Sequence, residues 1–257
     1  MTADLFDATA MYDDDYLHFF AGGATRVTHG PAVPAGHDGA GLAWRLLELE
    51  PGTNVLDVGC GHGSMARALT ARGARVTGLD FSSVFLDRAR ADAPDVEFVQ
   101  GDMRALPGEW TGRFDRVVNW STAFGYFDDA TNRTVLAEMA RVLRPGGRLA
   151  MDLDNQVKFL ASWTPSRVTV AKENGDMLVD RHRLDALTGR FEVERTVIRD
   201  GRVRRLTFLK RLFGFPELRD WLGAAGFEQV TGHGDDGEPL TGDHSRMIVV
   251  AHRRTRQ

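Results

Sequence analysis

A chain of 257 residues, 42% hydrophobic and 26% charged, holds enough apolar material for one large α/β domain or for a domain carrying an insertion. Its net charge of −4 gives no reason to expect nucleic acid or an anionic membrane as a partner, and its lone cysteine excludes a disulfide framework and a multi-cysteine metal site. No run approaches membrane-spanning length, and the acidic opening MTADLFDATAMYDDDYLHFF lacks the order of a signal peptide, so a reducing, cytoplasmic setting is expected.

Residues 1–40 are expected to form a helical lid over the rest. Tyr12 and Tyr16 lie one helical turn apart and share a face. THGPAVPAGHDGAG, residues 28–41, reads as a mobile loop holding His29 and His37. Residues 40–50 then carry apolar positions at helical spacing, and Pro51-Gly52 stops them. NVLDV (54–58) is a short buried-type strand, 63–72 a helix closed by Gly73, and 74–79 a second strand ended by Asp80. Ser82 is placed to cap the helix that follows, through about Ala91. Strands at 96–100 and 114–119, a helix at 131–143, the turn RPGG and a strand at 148–153 complete a core over residues 41–155. Strands alternating with helices at this spacing imply a doubly wound, mostly parallel sheet.

From 156 to 214 the pattern changes. Phe191, Val193 and Val197 alternate with Glu192, Glu194 and Thr196, as in a half-exposed strand, while Thr188-Gly189 and Asp200-Gly201 signal hairpins. Three or four antiparallel strands are expected over 166–213, inserted as one unit that serves as a substrate cover or a homo-oligomer contact. The basic residues 202–211 read as a solvated strand face paired with Glu192 and Glu194. A helix from 215 and two final strands over 215–257 return to the core.

The stretch VLDVGCGHG, residues 55–63, carries the chemistry. Glycines directly after a strand admit a ligand close to the backbone, and the following helix N-terminus offers unpaired N–H groups. Asp80 ends the next strand, 21 residues after Gly59, where an acid can accept from both hydroxyls of a ribose. A nucleoside-bearing cofactor at the carboxyl ends of the strands follows. The third position of the dinucleotide pattern G-x-G-x-x-G/A is Ser64, which argues against a nicotinamide dehydrogenase. Cys60 reads as a small buried side chain, having no activating partner in the sequence.

VLDVGCGHG, VTGLDFS, QGDMRAL, FDRVVNWSTAFGYF and VLRPGGRLAMDL follow one another in order over residues 50–155. In this series the chain resembles the class I S-adenosylmethionine-dependent methyltransferases, and most nearly the small-molecule enzymes of secondary metabolism, including those that methylate amino groups of sugars. The resemblance implies a Rossmann-like seven-stranded sheet with the last strand antiparallel. It implies S-adenosylmethionine as cofactor and S-adenosylhomocysteine as product. Gly59, Gly61 and Gly63 would make room for the methionine part and ribose, Asp57 would hold the loop and meet the amino group, and Asp80 would take the ribose hydroxyls. Phe81 would pack on the adenine, Asp102 and Met103 address its edge, and the carbonyl of Asn119 or Trp120 receive the ammonium. Tyr12 and His37 are expected at the cofactor too, His37 at its carboxylate. Tyr126 stands in the loop that faces the methyl group in this family, either touching the acceptor or serving as a packed aromatic; Tyr16 and His29 are the other candidates on the acceptor side.

The expected reaction is methyl transfer to N or O of a small metabolite. Transfer to carbon, and a relative that keeps the cofactor but cyclises or merely binds, remain open. A nucleic-acid methyltransferase is disfavoured, since Asn119-Trp120-Ser121-Thr122 lacks the paired prolines that hold an extruded base. No divalent-metal constellation stands out; Asp152 and Asp154 read as strand-end acids facing the pocket.

Overall fold

Val55 and Leu56 are neighbours in sequence, and both are fully buried because they point to opposite faces of one sheet. Leu56 joins an apolar cluster with Val117, Leu136 and Leu149, whereas Val55 joins another with Leu69, Val118 and Ala150. A strand covered on both faces is hydrophobic over most of its length, and this explains why the core strands show runs and not alternation. The computed structural model describes residues 11–20, 25–29, 38–171 and 174–255, and for 25–29 this concerns the backbone alone.

Within the main sheet the strands are β2 (Asn54–Val58), β3 (Arg75–Asp80), β4 (Glu97–Gln100), β5 (Phe114–Asn119), β6 (Leu143–Asp154), β11 (Phe227–His233) and β12 (Arg246–Arg253). Their order is β11-β12-β6-β5-β2-β3-β4, and β12 pairs antiparallel with both of its neighbours while the others pair in parallel. The chain runs outward from β2 through β3 to β4 and then crosses back to β5. The carboxyl ends of β2 and β5 therefore border the crevice where such sheets bind ligands.

Helices α2 (Gly39–Leu46), α3 (Ser64–Thr70), α4 (Ser83–Asp92), α5 (Asp129–Val142) and α7 (Phe215–Ala224) pack on the faces. Their starts follow from side-chain caps. Asp38 accepts from the N–H of Gly41, Ser82 from that of Phe85 and Asp128 from that of Thr131. The Asp128 cap moves the start of α5 two residues ahead of the sequence expectation. RPGG is not a turn before the strand but part of it: β6 runs unbroken from Leu143, and its register against β5 shifts between Phe114 and Arg116.

The inserted unit contains a short helix α6 (Gln156–Ala161), which the sequence did not signal, then β7 (Ser166–Ala171), β8 (Met177–Asp185), β9 (Arg190–Arg199) and β10 (Arg202–Arg211). These four strands are antiparallel, as expected. A fifth, β1 (Thr25–His29), pairs with β7 and comes from the N-terminal segment. The N-terminal region is therefore not wholly helical. It contributes α1 (Asp14–Phe20) and a strand, and residues 28 and 29 lie in that strand and not in a loop. Asp200 and Gly201 both adopt positive φ, 49° and 71°, in the two-residue turn that joins β9 to β10.

Phe191, Val193, Arg195 and Val197 form the buried side of β9. Arg195 is tolerated there because Asp180, its cross-strand partner on β8, accepts two parallel bonds from it at 2.8 and 2.9 Å. The basic residues of β10 do not pair with Glu192 and Glu194. Arg204 binds Asp13 and Asp15, Lys210 binds Asp154, and Arg211 binds Glu217, so the strand fastens α1, β6 and α7 to the cover. Asp180 is fully buried, and its loss would leave the Arg195 charge without its closest partner. Asp180→Ala should lower unfolding free energy by about 3–5 kcal/mol in urea titrations; a loss below about 1 kcal/mol would show that the pair is not desolvated in solution.

Candidate functional site

A cavity of about 490 Å³ opens over the carboxyl ends of β2, β3 and β5. Its floor is made by the glycine loop. Gly59 has φ of +73°, and a Cβ there would come within 2.9 Å of the Ala123 side chain and 3.3 Å of Met103. Gly63 caps α3 at φ +79°, where a Cβ would meet Phe98 at 2.8 Å. Any other residue at these two positions would carry both a strained backbone and a clash.

Asp80 holds this floor in place. Its Oδ2 accepts from the N–H of Gly61 at 2.8 Å and its Oδ1 from that of Ser82 at 2.9 Å, so one carboxylate joins the loop after β2 to the start of α4. Burial raises its pKa, against three backbone N–H donors that lower it. Asp57, on the neighbouring strand, is 1% exposed. Burial and then the charge of Asp80 push its carboxyl up to about 7, with one opposing hydrogen bond from the Ala66 N–H. Its Oδ2 has no partner, and neither has Oδ1 of the buried Asn119, whose Nδ2 donates to the Val58 carbonyl at 2.8 Å.

The roof is aromatic. Tyr12 lies 5.2 Å from Tyr16, 5.9 Å from Phe81, 5.6 Å from Phe85 and 6.0 Å from Tyr126 between ring centroids. Its own carbonyl accepts from Ser82 Oγ at 2.9 Å, which pins the start of the lid to the cap of α4. The hydroxyls of Tyr12 and Tyr126 are hydrogen-bonded, and burial raises both phenols above their ordinary value of 10.0. Tyr16 is raised by burial as well. None of the three is a base at neutral pH.

The loop carrying Tyr126 is held from below. Ser121 and Thr122 both adopt left-handed backbone, φ 55° and 59°, at a cost of about 1–3 kcal/mol each. Asp152 accepts from the Ser121 N–H through Oδ2 and from the Thr122 N–H through its carbonyl, while Arg246 bridges Asp152 and the Thr122 hydroxyl. Asp152 and Asp154 are thus engaged with Arg246 and Lys210 rather than turned to the cavity, and no cluster of three metal-ligating side chains occurs among the described residues.

The cavity brings together Tyr12, Tyr16, Asp57, Gly59, Gly61, Asp80, Phe81, Asp102, Met103, Trp120 and Tyr126 from distant parts of the sequence. Gly63 and Asn119 stand just behind its wall. Asp102 is partly diverted, because its two oxygens accept from the backbone N–H and the Nε of Arg104, both at 2.8 Å. His29 lies in β1, backbone-paired opposite Val168, with its side chain outside the described residues, as is the whole of His37. His182 does not reach the cavity; its Nδ1 meets the Thr164 carbonyl at 3.0 Å. Cys60 is buried with its thiol pushed up by burial, in keeping with a packing role.

Phe20, His62, Phe85 and Phe127 also line the cavity and were not anticipated. Phe20 was within reach of sequence reading, being one more step of four along the Tyr12–Tyr16 stripe. Burial lowers the pKa of His62, which keeps its imidazole neutral. A wider cleft of about 790 Å³ lies on the other side of α1, but its arginines face aspartates there: Arg67 and Arg88 pair with Asp92, and Arg199 and Arg204 with Asp15. Its lining includes no residue from the strands of the main sheet, whereas the aromatic cavity lies over their carboxyl ends and is the better candidate.

The cavity's fit to a nucleoside carrying a cationic tail rests on its own atoms. An unpartnered buried oxygen on Asp57 suits a cationic group, Asp80 keeps free lone pairs, and the glycine floor admits close approach.

Comparison with known proteins agrees. Residues 55–147 match the family described as methyltransferase domain. The chain is 31% identical over 236 residues to the cypemycin N-terminal methyltransferase of a Streptomyces species, covering 84% of this chain and 90% of that protein. A stretch of 121 residues is 39% identical to an uncharacterized methyltransferase of Synechocystis, covering 46% of this chain and 55% of the other. The chain thus spans about half the length of that relative, and 46% of a demethylmenaquinone methyltransferase from Renibacterium salmoninarum. Among solved structures, the CcbJ methyltransferase of Streptomyces caelestis superposes with a TM-score of 0.77 at 20% identity, covering 96% of this chain and 98% of that one, a likeness of fold. CalS10 of Micromonospora echinaspora, an amino pentose methyltransferase in calicheamicin biosynthesis, was solved with S-adenosylmethionine bound; it is 25% identical with a TM-score of 0.65, covering 88% of this chain and all of that one.

The Asp57 carboxyl also shapes stability. The folded chain keeps its proton up to about pH 7, whereas an unfolded chain releases it near pH 4, so this group's stabilising share is complete at low pH and is lost as pH rises through that window. Asp57→Asn, uncharged throughout, should melt about 3–6 °C above the parent at pH 8 without ligand, with the gain vanishing near pH 4, as followed by circular dichroism.

Proposed function

The chain belongs to the S-adenosylmethionine-dependent methyltransferases, and from that premise we propose that it methylates the amino nitrogen of a small molecule in natural-product biosynthesis. The observation that carries the choice of nitrogen is the likeness to two enzymes named for nitrogen acceptors, and the roof is compatible with it: its three phenols have raised pKa, which leaves the neutral imidazole of His62 as the base nearest to hand in the cavity lining. A hydroxyl acceptor needs a base to become a good nucleophile, whereas a neutral amine attacks with its own lone pair. Of the two relatives, one is named for a peptide N-terminus and the other for an amino pentose.

In this reading Asp80 directs its remaining lone pairs to the ribose hydroxyls, while Phe81 and the Met103 backbone flank the adenine. Asp102 contributes at the adenine edge once its hold on Arg104 loosens. Asp57 and the carbonyls at the end of β5, those of Asn119 and Trp120, receive the ammonium. When bound, the cofactor supplies a methyl group already activated by a sulfonium. The protein's contribution is then alignment and exclusion of water, which supply up to about 7–11 kcal/mol in favourable cases. Tyr12, in the bend ahead of α1, and Tyr16 and Phe20 on α1 close the cavity, and the Tyr12–Tyr126 hydrogen bond fixes the hydroxyl that orients the acceptor amine.

Asp80→Ala should weaken S-adenosylhomocysteine binding by more than tenfold in calorimetry, and unchanged affinity would remove the ribose assignment. Tyr126→Phe should lower turnover about tenfold with little change in cofactor affinity; equal turnover would make Tyr126 a packing residue. The reading as a whole is tested by incubating the protein and S-adenosylmethionine with a panel of amino sugars, peptides with free N-termini and matched hydroxyl analogues. Mass spectrometry should show methyl gain on amines alone. Gain confined to the hydroxyl analogues would reject nitrogen, and cofactor binding without any transfer would favour a non-methylating relative.

A further inference from the structure

Asp57 and Asp80 are two buried carboxyls at the ends of adjacent parallel strands, and the structure treats them unequally. Asp80 accepts backbone N–H bonds from Gly61, Phe81 and Ser82, which stabilise its ionised form. Asp57 has the Ala66 N–H alone, and its Oδ2 is buried with no partner. Among the described residues, none of the groups acting on Asp57 brings a counter-charge. From β3 comes Asp80 itself, from α3 the Ala66 amide, and from β5 the Asn119 amide, which is spent on the Val58 carbonyl. The nearby Cys60 thiol points to the Gly61 carbonyl at 3.7 Å. No cationic side chain is among the groups that act on Asp57. Two buried acids that share one side of a cavity cannot both ionise cheaply, and the less solvated one holds the proton.

Resting on the cofactor reading above, we propose that Asp57 is a proton-exchange site: its carboxyl releases a proton to water when the ammonium group of the cofactor arrives, so that one cation replaces another. The O–H bond of the acid breaks, the electron pair stays on the carboxylate, and nothing is oxidised or reduced. The position of the Asp57 carboxyl near neutrality makes the exchange measurable at ordinary pH. Affinity for any ligand that carries the ammonium then falls as pH drops, approaching a tenfold loss per pH unit below about pH 6, and levels off above about pH 8. Donor and demethylated product carry the same ammonium, so both are affected alike.

The test is titration calorimetry of the full chain with S-adenosylhomocysteine at about pH 6.5, in buffers that differ in ionisation heat. The slope of observed heat against buffer heat should report release of about 0.7–0.8 proton. Methylthioadenosine, which keeps the adenosine but lacks the amino-acid tail, should bind with a slope near zero, as should S-adenosylhomocysteine with Asp57→Asn. A flat slope for the parent protein with S-adenosylhomocysteine overturns the proposal, as does equal release with methylthioadenosine or with the variant. The two ligands on the parent protein decide the matter even where the variant does not fold. Absence of binding by S-adenosylhomocysteine in every buffer, checked by equilibrium dialysis, overturns the cofactor reading itself and is thereby distinct from failure of the proton exchange.

Discussion

The carboxylate of Asp80 is the interaction on which the site is built. It receives the Gly61 N–H from one side and the Ser82 N–H from the other, and so fixes a glycine loop to the first turn of the next helix. Through Ser82 the same node reaches the Tyr12 carbonyl and hence the lid. A buried acid is costly to place, and here backbone donors and not a cationic side chain offset the cost. That choice adds no fixed positive charge at Asp80, and the one arginine that lines the cavity, Arg104, is paired with Asp102.

A second node, Asp152 with Arg246, sets the opposite wall. The antiparallel β12 delivers Arg246 to the end of β6, where it bridges the acid and the Thr122 hydroxyl. Two consecutive left-handed residues in the loop after β5 persist because this node over-determines them. Strand β12 thereby shapes the loop that carries Tyr126 as well as pairing β6 with β11. The inserted sheet and the N-terminal segment are joined to each other by Asp13 and Asp15 with Arg204, and to the core through Lys210 and Arg211. Partly buried ion pairs of this kind set attraction against desolvation and contribute little net stability singly. Their consequence is geometric, since they hold Tyr12, Tyr16 and Phe20 over the cavity.

Much of this was legible in the chain itself. The runs NVLDV and RLAMDL, the capping residue Ser82, the Asp200-Gly201 turn and the glycine loop are local signals, set by pleat, hydrogen-bond geometry and backbone sterics within a few residues. They determined a mostly parallel sheet and an inserted antiparallel unit, and they singled out Asp57, Gly59 and Asp80, which line one cavity. Tertiary structure alone decided that residues 25–29 join the inserted sheet, since an edge strand is specified by the partner that takes up its N–H and C=O groups. It also decided that β10 arginines bind α1 and α7, that Asp102 turns to Arg104, and that Asp57 lies buried beside a second acid with one oxygen unpaired. Sequence spacing carries the identity of an ionisable group, but its charge depends on which groups lie within a few ångströms and on how much water remains, and only the packed chain fixes these.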